Sequence, residues 1–141
     1  AYVFETPKVA CTSKKIIKQN DMQDKIFVLE GDFNVDAIGD GYDLIIASGI
    51  FNFVNMDITE FICKLSDALV LNGHLLIIGS FFENEEYHKE HMLNWLKGYI
   101  NGMKPAPRKS ELEQSTEKAK LLLKKQIKIG LFEGELYTKE W

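Results

Sequence analysis

Between Tyr42 and Gly79 the sequence sets an aliphatic run, a capped amphipathic period and a second aliphatic run in succession. That succession limits the fold more than any other feature. Leu44-Ile45-Ile46, within Tyr42 to Ala47, is apolar without alternation, the pattern of a strand covered on both faces. Asp57 stands where it can cap a helix, and Glu60 three residues on completes a capping-box spacing. Ile58, Phe61, Ile62, Leu65, Ala68 and Leu69 recur at i, i+3, i+4 and i+7, the stripe of a helix laid on a sheet. Asn72-Gly73 offers a left-handed stop, and His74 to Gly79 reads as another buried strand. Two buried strands joined by a helix-length crossover run parallel. The expected class is therefore α/β, a mostly parallel sheet flanked by helices.

The rest of the chain extends this pattern. Tyr2-Val3-Phe4 is a short strand closing on Glu5, and Pro7 suits the first turn of a helix that runs to about Asn20, with Val9, Ile16 and Ile17 among its apolar positions. Lys25 to Leu29 is the next strand, followed by Glu30-Gly31-Asp32-Phe33, and Gly39-Asp40-Gly41 is a tight turn. Residues 84–101 have a helical period, and Met103 to Arg108, with Pro105 and Pro107, is a loop. Ser110 to Lys125 reads as a charged helix, then Ile127, Ile129 and Leu131 alternate. Glu133-Gly134 is expected as a turn and Glu135 to Trp141 as the last strand, closing an antiparallel β-hairpin. No repeat or boundary interrupts residues 1–141, which read as a single domain.

Charge and composition exclude several classes. A net charge of −4 and the lack of a basic stripe argue against a nucleic-acid binder. The longest apolar stretch, Ala68 to Ile78, is broken by Asn72, Gly73 and His74, too short a run to cross a membrane. Cys11 and Cys63 lack a CxxC spacing, so reduced thiols and a cytoplasmic location are expected. His88 and His91, with Glu86 and Glu90, do not have the i, i+4 histidine spacing of a zinc helix, and no metal is expected. Tyr87, Trp95 and Tyr99 could line a pocket or pack on the sheet. Lys118, Lys120, Lys124 and Lys125 mix with Glu111, Glu113 and Glu117 as a solvated helix face.

In a doubly wound sheet, ligands bind outside the carboxyl ends of the strands. Three polar features fall there. Glu5 is placed to accept from a ribose diol, or to be a solvated loop acid. Gly31 permits close backbone approach, Asp32 can accept from an exocyclic amine, and Phe33 offers an apolar face; the alternative is a turn aspartate with a core phenylalanine. Ala47-Ser48-Gly49-Ile50-Phe51-Asn52 ends the central strand, where Asn52 can orient a substrate oxygen or cap local backbone groups.

Phe4-Glu5-Thr6-Pro7, Glu30-Gly31-Asp32-Phe33, Tyr42 to Ser48 and Leu71-Asn72-Gly73-His74-Leu75-Leu76-Ile77-Ile78 resemble successive blocks of class I, Rossmann-like methyltransferases. The likeness is greatest to small-molecule O-methyltransferases related to plant caffeate and bacterial polyketide enzymes. It implies S-adenosylmethionine as cofactor and a small-molecule acceptor. Glu5 would hold the ribose, Asp32 and Phe33 the adenine, and Ser48 and Gly49 would flank the methionine part. Asn52 falls where the family carries its catalytic histidine, and a carboxamide cannot serve as a general base near neutral pH. The family's first strand and glycine-rich loop would precede Ala1, so these residues resemble a carboxy-terminal part of the fold. The expectation is a sheet altered or strand-exchanged between two copies, with poor binding of S-adenosylmethionine by the 141-residue chain. A homodimer is the assembly such enzymes suggest. Two other readings stay open: a non-catalytic, cofactor-free domain used for binding or assembly, and a nicotinamide-dependent oxidoreductase.

Overall fold

The computed structural model describes residues 1–81, 96, 98–100, 102–130 and 132–140. The expected helix over residues 84–101 falls largely outside the described residues, as do Glu86, Tyr87, His88, Glu90, His91 and Trp95. The chain divides into two compact units, Ala1–Gly39 and Asp40–Trp141. Its strands form a two-stranded and a four-stranded sheet.

Ala1–Gly39 contains β1 (Tyr2–Glu5), α1 (Pro7–Gln19) and β2 (Phe27–Glu30). The two strands run parallel, with Tyr2 opposite Phe27 and Glu5 opposite Glu30. Pro7 opens α1, where its missing N–H would have no helical partner. Asn20 ends it, its Nδ2 donating to the Ile16 carbonyl at 2.8 Å. Ala10 is fully buried, whereas Val9 and Ile16 of the same helix remain exposed.

Asp40–Trp141 contains β3 (Tyr42–Ser48), a 3-10 turn (Phe51–Phe53), α2 (Ile58–Ala68), β4 (Leu69–Gly79), α3 (Lys109–Lys118), β5 (Leu121–Ile129) and β6 (Phe132–Lys139). Strand order is β3-β4-β6-β5, with β3 and β4 parallel and the other two pairs antiparallel. Asp57 caps α2, its Oδ1 accepting from the N–H groups of Thr59 and Glu60 at 2.8 and 3.2 Å. Such a cap stabilises a helix by about 1 kcal/mol. Phe61, Ile62, Leu65 and Ala68 are buried, as the helical stripe requires.

Four local expectations are corrected. β3 is not covered on both faces: Ala47 is buried, but Leu44 and Ile46, alternating with it, are 51% and 58% exposed. The buried face of this sheet carries Ala47, Leu75, Ile77 and Tyr137, and α2 packs on β4 there. Second, Asn72-Gly73 does not stop α2, which ends at Ala68 when Leu69 turns extended. Asn72 instead takes φ 63° inside β4, beside the irregularity that shifts its register against β3. Gly73 is needed because a Cβ there would lie 2.8 Å from the Val70 carbonyl oxygen and 3.0 Å from that of Tyr42. Third, the charged helix stops at Lys118, and Leu121 begins β5. Lys120 turns left-handed at φ 58°. Fourth, the hairpin turns at Gly130 (φ 62°), not at Glu133-Gly134, which lie within β6 opposite Lys128 and Ile127.

A polar layer lies between the helices and the sheet. Thr59 and Ser115 join α2 to α3 through their hydroxyls at 3.0 Å. Ser66 donates to the Ala119 carbonyl, and Lys139 donates to the carbonyls of Ser66 and Leu69. At its centre the buried Lys109 ammonium donates to both Glu133 and Glu135. Glu135 also accepts from Gln126 at 2.8 Å and from the Tyr137 hydroxyl at 2.7 Å. Burial alone would lower the Lys109 pKa, but the two glutamates outweigh it and hold the ammonium above its ordinary value. Burial, aided by the Glu135 carboxylate, pushes the Tyr137 phenol up.

Lys109→Met would leave the buried Glu135 without a cation and Glu133 with only the exposed Lys128 at 3.8 Å, and it should destabilise the fold by about 3–5 kcal/mol in urea unfolding. Both raised groups hold their protons in the folded state past their ordinary values of 10.5 and 10.0. Their contribution to stability is therefore complete below those values and falls as pH rises through the raised ones. Unfolding midpoints measured between pH 8 and pH 11 should show a decline confined to the alkaline end.

Candidate cofactor site

The parallel register of β1 and β2 brings two sequence-expected features to the same end of that sheet. Glu5 closes β1 opposite Glu30, and the Gly31 N–H donates to the Glu5 carbonyl at 3.0 Å. The backbone thus fixes Glu5 beside Gly31-Asp32-Phe33. Glu5 and Phe33 are half-buried and Asp32 is exposed.

Asp32 shapes its own turn. Its Oδ1 accepts from the Asn34 backbone N–H at 2.9 Å and from Asn34 Nδ2 at 3.0 Å. Its N–H donates to Asp36 Oδ2 at 2.8 Å, and its carbonyl accepts from Val35 and Asp36. The aspartate is required by the turn whether or not a ligand is present. Gly31 also has a local reason. A Cβ there would lie 2.7 Å from the Phe4 ring and 3.0 Å from the Asp36 carboxylate.

In the Asp40–Trp141 unit, Ser48 pairs with Ile78, and the Gly49 N–H donates to the Ile78 carbonyl at 2.9 Å. Gly49 turns at φ 65°, and beyond its chain neighbours no atom of the described residues lies within 4 Å of where its Cβ would be. Phe51 then drops into the core, edge-on to Phe61 and Phe81 at 5.8 and 5.5 Å between centroids. That anchor sets Asn52. Its Nδ2 donates to the Lys104 carbonyl at 2.8 Å, while its own carbonyl accepts from the Lys104 N–H at 2.7 Å. The sequence offered Asn52 a substrate oxygen or local backbone groups; its carboxamide donates instead to a backbone carbonyl 52 residues away.

Sequence reasoning missed the Lys109, Glu133 and Glu135 cluster. Two acids spaced i, i+2 on one strand must share a face, which was a usable sign; nothing local to Lys109 pointed to them. Among the described residues no three His, Cys, Asp or Glu side chains gather to hold a metal. Cys11 and Cys63 are free thiols. An open groove of about 400 Å³ on Lys14, Ile17, Lys18, Gln23, Ile26, Phe27 and Val28 includes none of the expected site residues.

The fold is that of solved methyltransferases. An O-methyltransferase family 2 protein of Planctomyces limnophilus, solved with apigenin, superposes with a TM-score of 0.78 at 19% identity, covering 98% of this chain and 42% of its own. Human N-acetylserotonin methyltransferase, solved with S-adenosylmethionine, gives 0.73 at 18% identity, over 99% of this chain and 40% of its own. An uncharacterised protein of Methanocaldococcus jannaschii is 36% identical over 102 residues, 72% of this chain and 24% of that protein. The chain thus spans about a quarter of that relative's length and about two fifths of the solved chains. The family model for the O-methyltransferase domain matches residues 1–108. With the order of its strands and the likeness in sequence agreeing, this chain belongs to the O-methyltransferase domain family.

Proposed function

We propose that the full-length protein transfers a methyl group from S-adenosylmethionine to a heteroatom of a small-molecule acceptor. The observation that carries this reading is the shared end of β1 and β2, where the backbone couples Glu5 to Gly31-Asp32-Phe33. Glu5 would accept from the ribose hydroxyls, Asp32 from the adenine amine, and Phe33 would cover the ring. Ser48 and Gly49 are the residues that the likeness to the family assigns to the methionine part. When bound, the cofactor supplies an electrophilic methyl group on sulfur. The contribution of the chain's own residues is orientation, which alone can remove several kcal/mol from a displacement barrier. Asn52 takes no proton from the acceptor: its nitrogen is a donor to Lys104, and an amide nitrogen does not bind a proton near neutral pH.

The free thiols favour a cytoplasmic protein, and the family likeness favours a homodimer. Among the described residues no helix is long and apolar enough to cross a membrane. The tied carboxamide of Asn52 favours a second reading, a methyltransferase fold retained for binding or assembly without catalysis.

Calorimetric titration of the full-length protein should give heat with S-adenosylmethionine and none with NAD. Heat with NAD alone would transfer the site to a nicotinamide enzyme. Asp32→Asn keeps an oxygen for the Asn34 turn but removes the charge, so unfolding should change little. Its affinity for S-adenosylmethionine should drop by about 1–3 kcal/mol; an unchanged dissociation constant would take Asp32 out of the site. Asn52→Ala should leave the pH dependence of methyl transfer unaltered, and loss of an ionisation from the rate profile would contradict that.

A further inference from the structure

The loop Gly102–Arg108 leads the chain into α3, and several of its backbone donors are absent or already taken. Pro105 and Pro107 have none. The N–H groups of Gly102 and Met103 are taken by the carbonyls of Tyr99 and Gly98, and that of Arg108 by Glu111 at the start of α3. Two hydrogen bonds join Lys104 of this loop to Asn52, one donated by the Lys104 N–H to the Asn52 carbonyl and one by the Asn52 carboxamide to the Lys104 carbonyl. One residue's N–H and C=O are matched by one residue's carbonyl and carboxamide, the pairing a strand neighbour would give.

We propose that Asn52 is a positioning residue, its carboxamide fixing the loop Gly102–Arg108 beside the carboxyl end of β3, where the methyl acceptor approaches. The location of that approach rests on the methyl-transfer reading; the clamp itself does not. Phe51 gives the clamp a fixed base, because its ring is held by Phe61 and Phe81. At the other end of the loop, Lys109 is held by Glu133 and Glu135. Between these anchors Lys104 is held by the backbone carbonyl and the carboxamide of residue 52 together, and only the second bond depends on the side chain. The chemistry demanded of it is a donor aimed at a carbonyl oxygen. A carboxamide meets that demand at every pH, an ionised carboxylate meets it at none, and a protonated carboxyl meets it only in acid.

The test is hydrogen exchange at the Lys104 amide in the full-length protein, expressed as a protection factor, for wild type, Asn52→Ala and Asn52→Asp. Asn52→Ala should lose about tenfold in protection at pH 7. Asn52→Asp should lose as much at pH 7 and recover most of it at pH 4, while wild type should keep its protection at both. A residue acting only through packing would give no such recovery. Titration with S-adenosylhomocysteine is the second arm, and its dissociation constant should stay within about twofold in both variants. Equal protection in wild type and Asn52→Ala, or no recovery of Asn52→Asp in acid, would overturn the proposal. A tenfold loss of S-adenosylhomocysteine affinity would overturn it too, by putting Asn52 in the cofactor site. If wild type fails to bind S-adenosylhomocysteine, the methyl-transfer reading fails while the exchange data still decide the clamp.

Discussion

Backbone groups taken out of water must find partners, and β4 meets that demand on both of its edges. β3 lies parallel on one side and β6 antiparallel on the other. Leu75 and Ile77 are thereby held fully buried, and the chain leaves the sheet after Gly79. The turn at Gly49 depends on the same pairing, because its N–H is satisfied by Ile78 of β4. So does the core position of Phe51, which follows that turn. The outer edges of the sheet differ in kind. β5 carries Lys124, Lys125 and Lys128 and an irregularity near Leu123, features that discourage further pairing. β3 presents Leu44, Ile45 and Ile46 with no lysine or proline among them.

The interior joins its layers by polar contacts as well as by apolar ones. Lys109, Glu133, Glu135, Gln126 and Tyr137 form a connected group in which the charged members have counter-charges and hydrogen bonds together. Such a group gains less from replacing water than an aliphatic core of the same size would. In return it is directional. An aliphatic contact tolerates sliding, whereas an ammonium between two carboxylates accepts one placement of α3 on β6.

The strand–helix–strand core was legible because period and capping agree there: Asp57 caps, and Phe61, Ile62 and Leu65 bury. The carboxy-terminal half was harder to read. Lys118 to Lys125 is rich in residues that favour helices, and the conversion to strand at Leu121 comes from pairing with β6, a contact far away in sequence. Asn72-Gly73 was rightly read as a left-handed feature and wrongly as a helix stop: the crowding at Gly73 comes from the Val70 carbonyl of its own strand and that of Tyr42 on the neighbouring one. At the site, the positions of Glu5, Asp32 and Asn52 followed from where strands end. Their present bonds did not, since Asn34 and Lys104 become partners only once the turns are formed.

Gly31 also bears on how this sequence can drift. The space a methyl group would need at Gly31 is filled by the ring of Phe4 on the adjoining strand. The Asp36 side chain, 3.0 Å from the same point, closes the other side. Any side chain at 31 must therefore displace both the Phe4 ring and the carboxylate that accepts from the Asp32 N–H. Positions 4, 31 and 36 are thus tied together, and drift at one of them is felt by the turn that Asp32 opens.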